Sequence, residues 1–236
     1  MGEDTGSAPI IVVTGTGSRV DTTLAAAALT VGLRDEGLEV TVTTPVRTGA
    51  TGTNGLRRLS DLTGGTHVHE RITLAADLPP RAAATVGGIV LPPVVVHAAE
   101  WARLVRRPEL DVLLVDDPEG ILTELDEDGS CLLDVADAAE GLDLRVGVVI
   151  ACGVGRDDLR QAGLIAAVLR SRGVDILGCV IVDDDGAAND TAAANPIRDQ
   201  LPDACSAPLI GHIPPEVRGW DPQTFQDRAG AWLPVA

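Results

Sequence analysis

A glycine-rich segment near the N-terminus has the residue types of a phosphate-binding turn. It reads Gly-Thr-Gly-Ser-Arg-Val-Asp-Thr-Thr over residues 15–23 and lies between an apolar run and a helical pattern. A turn of this kind directs backbone N–H groups and the positive end of a helix dipole toward an anion. A working phosphate loop adds a lysine that reaches the terminal phosphates and a Ser or Thr that binds Mg²⁺. Here Thr23 supplies the hydroxyl, but Thr22 stands where the lysine is expected.

Asp21 leaves two interpretations of this turn open. An aspartate at a helix N-terminus caps free N–H groups and is stabilised by the helix dipole. The same carboxylate fills the anion site, and a second negative charge about 4 Å away costs about 4 kcal/mol at the effective dielectric of a protein surface. The segment is therefore either a nucleotide site or a self-capped vestige of one, and the residues favour the vestige.

The composition excludes several kinds of chemistry. All 18 basic residues are arginine, so the chain has no lysine for a Schiff base or a lysine nucleophile. There is no tyrosine, and three Trp and one Phe are too few for a base-stacking platform. With 35 acidic residues the net charge is −17, and the only adjacent arginine pairs are residues 57–58 and 106–107. This balance argues against nucleic acid or an anionic membrane as a partner.

Further features indicate a cytoplasmic protein. No run of about 18 apolar residues is present, and the N-terminal residues lack the basic and apolar regions of a signal peptide. Four cysteines, at positions 131, 152, 179 and 205, are far apart and show no metal-binding spacing. We therefore expect reduced, buried thiols rather than a disulfide framework.

The elements that must position the turn alternate between apolar β-branched runs and helical patterns. Strands are predicted at 10–14, 39–44, 111–115, 146–151 and 177–182. Helices are predicted at 22–35, 56–62, 94–105, 157–172 and 195–201. This alternation predicts a three-layer α/β fold with a doubly wound, mostly parallel sheet, whose site lies at the carboxyl ends of the strands. We expect one domain over residues 1–236, with residues 1–8 as a disordered tail.

Four segments in the right order resemble the dethiobiotin synthetase family. Residues 15–23 correspond to the family's Gly-Thr-x-Thr-Gly-Val-Gly-Lys-Thr loop, and residues 44–49 to its Lys-Pro-Val-Gln-Thr-Gly strand end. Residues 115–124 correspond to Val-Glu-Gly-Ala-Gly-Gly-Leu-Leu-Val-Glu, and residues 211–214 to Gly-x-Ile-Pro near the nucleotide base. The resemblance extends from residue 10 to about residue 215. It implies a P-loop NTPase-like fold.

The resemblance also implies an activity and a set of site residues. Family members are homodimers that use ATP and Mg²⁺ to close the ureido ring of dethiobiotin from 7,8-diaminononanoate and CO₂. Positions implied to bind nucleotide are Gly15, Thr16, Gly17, Asp21, Thr22, Thr23, Val182, Ile213 and Pro214. Positions implied to bind substrate are Thr48 and Gly120, and those implied to bind metal are Thr23, Asp116 and Asn54. The catalytic positions are Thr44, Arg47 and Arg19.

The departures from the family pattern fall on its charged and glycine positions. The two family lysines are replaced by Thr22 and Thr44, and two loop glycines by Arg19 and Asp21. The metal-binding aspartate before the second helix falls at Asn54 or the following glycine. Phosphoryl transfer depends on positioning and on neutralising charge, and loss of one such group costs about 10²–10³ in rate.

Three interpretations of function therefore stand. The favoured one is a dethiobiotin synthetase-like protein of biotin biosynthesis that is impaired or inactive as a ligase. The first alternative is a functioning enzyme in which Arg47 and Arg19 replace the lysines. The second is a non-catalytic interaction partner. ATP, Mg²⁺ and 7,8-diaminononanoate are expected ligands only if the protein is active, and no cofactor is expected otherwise.

Overall fold

The computed structural model describes residues 7–49, 54–155, 157–183 and 191–233, and the side chains of residues 54, 56 and 191–195 lie outside that description. The strands are β1 (Ile10–Gly15), β2 (Val40–Arg47), β3 (His67–Thr73), β4 (Val112–Asp117), β5 (Val146–Cys152), β6 (Asp175–Val182) and β7 (Leu209–Ile213). The helices are α1 (Thr22–Asp35), α2 (Asn54–Leu62), α3 (Pro80–Gly87), α4 (Val94–Val105), α5 (Leu132–Glu140), α6 (Asp158–Ser171), α7 (Thr191–Cys205) and α8 (Pro222–Ala229), with a 3₁₀ helix at Pro215–Gly219.

The strands form one seven-stranded sheet in the order β3-β2-β4-β1-β5-β6-β7, and all of its pairings are parallel. The central strands β4 and β5 are buried along their whole length, because helices cover both faces of the sheet. One apolar core lies under α4 to α6, and the other under α1 and α8. The predicted three-layer α/β fold is confirmed.

The strand order reverses beside β1, which lies between β4 and β5. In an open parallel sheet this switch point leaves a crevice at the carboxyl ends of the strands. The glycine-rich turn leaves β1 at this point and leads directly into α1. The fold therefore places the turn where a ligand site is expected.

The helices predicted at residues 22–35 and 94–105 have the same bounds in the structure. The strand predicted at residues 39–44 extends instead to Arg47, through a proline, because β2 continues its pairing with β3 as far as residue 47. Five elements, β3, β7, α3, α5 and α8, were not predicted. Ala8, which was expected in a disordered tail, is buried instead, and its N–H donates to the Val105 carbonyl at 3.3 Å; residues 1–6 lie outside the described residues.

No helix among the described residues combines the length and the apolar character needed to cross a membrane. The four cysteines are all free thiols.

A buried histidine in α4 makes the stability of this fold sensitive to acid. His97 is 1% exposed, and its Nε2 atom has no hydrogen-bond partner among the described residues. Burial lowers the pKa of His97 to about 4, and Arg71 acts in the same direction, while Asp126 and Glu100 oppose it. The folded protein therefore holds a neutral imidazole that the unfolded chain protonates below its ordinary pKa near 6.5.

We expect His97→Leu to remove part of the pH dependence of folding. Between its unfolded and folded pKa values the unfolded state binds the extra proton, so stability is lost as pH falls from about 6.5 to about 4. The wild type should lose about 3 kcal/mol more than the variant over this range. Urea unfolding of both proteins at several pH values measures the difference. His97→Gln, a second neutral replacement, should give the same shallow slope, and equal slopes for wild type and both variants would contradict the assignment.

Candidate functional site

A buried carboxylate at the end of β4 is the centre of the site. Asp116 Oδ1 accepts a hydrogen bond from Thr22 Oγ1 at 2.9 Å. Asp116 Oδ2 accepts from Thr23 Oγ1 at 2.8 Å and from Arg47 Nη2 at 2.8 Å. A second acid, Glu70 on β3, has its Oε2 atom 3.6 Å from Arg47 Nε. The Asp116 carboxylate is inaccessible to solvent, so the guanidinium and the two hydroxyls replace water around its charge.

The end of β2 determines where this guanidinium lies. Arg47 is the last residue of β2, and its side chain passes over the first turn of α2. A Cβ added to Gly55 would lie 2.6 Å from Arg47 Nε, so glycine at position 55 admits the arginine side chain. Thr44 is buried further back on β2, in register with Glu70. Thr44 makes no hydrogen bond to Asp116 among the described residues.

Asp21 caps the first turn of α1. Its Oδ1 atom accepts a hydrogen bond from Leu24 N at 3.0 Å, and its Oδ2 atom lies 2.9 Å from Arg58 Nη2. The N-terminal N–H groups of a helix are the donors that bind a phosphate in a working loop. A carboxylate of the chain itself therefore already occupies part of this anion site.

The turn between β1 and α1 is closed by its own hydrogen bonds. Val20 N donates to Gly17 O at 3.0 Å, and Thr22 N donates to Val20 O at 3.0 Å. The Thr22 methyl group packs against Gly15, where an added Cβ would lie 2.9 Å from it. Thr22 thus turns inward to Gly15 and Asp116 rather than into the concave side of the turn.

A second carboxylate ties this turn to the loop between β5 and α6. Asp158 accepts hydrogen bonds from Thr16 Oγ1 at 2.7 Å and from Gly155 N at 2.7 Å. Its side chain fits only because glycine occupies position 153, where a Cβ would lie 2.7 Å from Asp158 Oδ2. Arg19 extends toward the same loop, with a guanidinium nitrogen 3.5 Å from the Cβ position of Gly155. Arg19 and Arg47 therefore serve different parts of the site.

The residues that directly follow β4 contact the end of β2. Glu119 Oε1 accepts from Thr48 N at 2.7 Å and from Thr48 Oγ1 at 3.0 Å. Asp117, buried beneath these residues, accepts from Thr14 Oγ1 at 2.7 Å and from Gly120 N at 3.2 Å. Gly120 has a φ of +93°, a conformation that favours glycine. Both acids hold these residues through neutral donors.

Burial raises the pKa of Asp117 and the pKa of Glu119. The pKa of Asp117 rises to about 7, because the side chain is buried and the charges of Asp116 and Glu119 act in the same direction. Burial also raises the pKa of Glu119, against the hydrogen bonds from Thr48. Glu119 borders a pocket of about 200 Å³ between the first turn, the residues after β4 and α6, which Gly17 and Gly120 also help to line.

The residues expected near a nucleotide base are at the far end of the crevice. Val182 and Ile213 end β6 and β7, pair in register, and are both buried. Pro214 follows directly and begins the approach to the 3₁₀ helix. The Asn54 side chain lies outside the described residues, so its expected metal role stays a prediction.

The comparisons with known proteins identify the family. The AAA domain family model matches residues 10–219. ATP-dependent dethiobiotin synthetase BioD of Streptomyces coelicolor is 34% identical, over 95% of this chain and 92% of the relative. The Saccharopolyspora erythraea protein of the same name is 35% identical over 96% of both chains.

The chain belongs to the dethiobiotin synthetase family.

Solved structures with lower sequence identity agree with the fold of this dethiobiotin synthetase family member. The signal recognition particle receptor FtsY of Elizabethkingia anophelis, solved with GDP, has a TM-score of 0.57 at 14% identity. It covers 97% of this chain and 66% of its own. A chain of the MinC:MinD cell division protein complex of Aquifex aeolicus has a TM-score of 0.54 at 17% identity, over 94% and 86% of the two chains. Both likenesses concern the P-loop NTPase architecture.

ATP with Mg²⁺, the ligand that the family implies, does not fit the residues present at the first turn. Asp21 holds a helix N–H that an anion would need, and Thr22 offers a hydroxyl in place of an ammonium. The oxygen ligands expected for the metal, Thr23 and Asp116, are bonded to each other and to Arg47. A divalent cation would have to displace the guanidinium to reach them.

Glu70 and Asp158 are site residues that were not predicted from the sequence. Glu70 lies on the edge strand β3, whose alternation of charged and histidine residues carries no clear strand signal. Asp158 is the first residue of α6, and its role depends on the glycines at 153 and 155. The spacing Gly-x-Gly before an acidic helix start could have indicated that a carboxylate folds back there.

Proposed function

We propose that this protein is a member of the dethiobiotin synthetase family that does not carry out ATP-dependent ring closure. The observation that carries the proposal is the buried Asp116 carboxylate, which already accepts hydrogen bonds from Thr22, Thr23 and Arg47. Relatives that are named as dethiobiotin synthetases support descent of this chain from an enzyme of biotin biosynthesis. Its own role there is that of a non-catalytic homologue.

The first support is that no cation among the described residues is aimed at the phosphate position. Transfer of a γ-phosphoryl group needs positive charge on the transferred oxygens, usually from lysine and metal ions. Arg47 is engaged with Asp116 and Glu70, so this group of one cation and two acids carries net negative charge. Arg19 extends instead toward Gly155. Neither arginine is placed as a substitute for the missing lysines.

The second support is the carboxylate cap on α1. Asp21 is held there by Leu24 N and by Arg58, so displacing it would break a hydrogen bond and an ion pair. An ATP phosphate at the same N–H groups would also meet a like charge, at a cost of about 4 kcal/mol for a separation of about 4 Å. That penalty alone corresponds to about a thousandfold loss of affinity.

The direct test measures binding and turnover together. We expect calorimetric titration with MgATP to give no binding in the micromolar range. We also expect no dethiobiotin from 7,8-diaminononanoate, CO₂ and MgATP. The synthetase of Streptomyces coelicolor, assayed under the same conditions, is the positive control.

Each part of this test can contradict the proposal. Micromolar MgATP binding would mean that the first turn opens and that the cap is not a barrier. Turnover at a rate within about a thousandfold of the control would mean that Arg47 or Arg19 does neutralise the phosphates, since loss of a single such group costs about that much.

A further inference from the structure

A pocket on the other side of α1 combines positive charge with an apolar wall. It has a volume of about 330 Å³, which is within the usual range for small-molecule sites. Three arginines line it, Arg57 and Arg58 from α2 and Arg218 from the 3₁₀ helix, together with the single acid Asp61. No residue for which the sequence predicted a role, and no part of the Asp116 cluster, lines this pocket.

Two nitrogen atoms of the Arg218 guanidinium have no hydrogen-bond acceptor among the described residues. These atoms, Nε and Nη2, are also shielded from solvent. A buried, unpaired donor on a charged group is costly, and most such groups in folded proteins have a partner. These two atoms are shielded from the open space of the pocket as well, so an oxyanion there would supply the missing acceptor once the guanidinium turns toward it.

The charge balance of the pocket points the same way. Arg58 already pairs with Asp21 at 2.9 Å. Counting Asp21 together with the charged residues that line the pocket gives three positive charges and two negative ones. The whole chain has a net charge of −17, so this excess of positive charge runs against its composition. Arginines gathered at one pocket repel one another unless an anion separates them, and the guanidinium fork matches phosphate geometry.

The rest of the lining suits an apolar body attached to the anion. Leu24, Leu62, Val217 and Pro222 form the wall beside the arginines. The indole of Trp220 adds an aromatic face; its ring also lies 5.3 Å from the Trp232 ring and 5.2 Å from the guanidinium of Arg228. Such a wall binds hydrocarbon or aromatic groups by excluding water.

We propose that this pocket binds a small phosphate-bearing molecule with an apolar body, without Mg²⁺. Arg218 and Arg57 bind the phosphate, and Trp220 contacts the apolar part. The proposal does not depend on whether the first turn binds ATP, because its binding groups are different residues.

Phenyl phosphate and inorganic phosphate, titrated by calorimetry in magnesium-free buffer, test the proposal. We expect both to bind, and phenyl phosphate to bind more tightly than phosphate or phenol. Arg218→Gln should weaken phenyl phosphate binding by about tenfold or more, as expected for a charged hydrogen bond. Arg218→Lys, which keeps the charge, should retain part of the affinity and shows that the site is still folded. The matched control is Arg160→Gln, an exposed arginine on α6 whose ion-pair partner is Asp157.

Three results would overturn the proposal. The first is the absence of phenyl phosphate binding at about 10 mM, which would saturate a millimolar site. The second is equal affinity in wild type and Arg218→Gln. The third is binding that increases in Asp21→Asn but does not respond to Arg218→Gln, since this would locate the anion at the first turn. MgATP binding would contradict the proposed lack of activity but not this inference, because the two tests use different ligands and different variants.

Discussion

Replacing Asp21 by glycine and Thr22 by lysine together is expected to give the first turn a measurable affinity for MgATP. The glycine removes the carboxylate from Leu24 N and frees that helix N–H for a phosphate. The lysine has no branched methyl group to press on Gly15, and its ammonium can extend from the concave side of the turn. We expect the dissociation constant to fall by at least about 100-fold.

The size of this gain follows from the opposing terms. Removing one like charge about 4 Å from a phosphate recovers about 4 kcal/mol, and adding a cation contributes further in the same direction. Against this, replacing an aspartate N-cap by glycine costs about 0.5 kcal/mol or less. Losing the Thr22 hydroxyl costs Asp116 one of its three donors, about 1.5–3 kcal/mol of stability. Calorimetry and thermal shift with MgATP measure the outcome.

Asp21→Asn is the matched control for the charge alone. Asparagine keeps the capping geometry, so this variant should gain less affinity than the double variant and lose little stability. If neither variant binds MgATP, the hydrogen bonds from Val20 N and Thr22 N have fixed the turn in a shape that excludes phosphate. The carboxylate would then not be the decisive barrier.

The sequence determined the architecture well because periodicity depends on local residues. The apolar spacing in residues 22–35 and 94–105 predicted both helices with the bounds that the structure has. The edge strand β3 was not predicted, because half-exposed strands carry charged and histidine side chains that weaken the alternation of apolar and polar residues. Helix α5 was not predicted, because a helix of nine residues is too short to repeat an apolar helical pattern clearly.

The chemistry of the site could be predicted only in part, because it depends on pairs far apart in the chain. Asp116 and the threonines were recognisable from the family motifs. The hydrogen bond from Arg47 to Asp116, however, joins residues that are 69 positions apart. Arg47 was considered as a substitute for a lysine, and its two acidic neighbours give it a different partner. No local pattern reports that glycine at position 55 leaves the space for its side chain.

Replacing Arg47 by methionine is expected to destabilise the fold by about 3–5 kcal/mol. The change removes the only cation that contacts Asp116 among the described residues and leaves the buried carboxylate with two hydroxyl donors. Breaking a buried ion pair costs far more than breaking an exposed one, because the remaining charge stays out of water. Urea unfolding with a two-state fit measures the free energy of unfolding.

The controls for Arg47→Met separate charge from packing. Arg103→Met removes a half-exposed arginine that pairs with Glu100 on α4, and it should cost less than about 1 kcal/mol. Asp116→Asn combined with Arg47→Met removes both charges, so the double variant should lose less stability than the sum of the two single losses, by about 2 kcal/mol or more. If the losses simply add, Arg47 acts by packing over Gly55 and its charge is not bound to Asp116. The guanidinium would then be available to an incoming phosphate, and the case for an inactive site would rest on Asp21 alone.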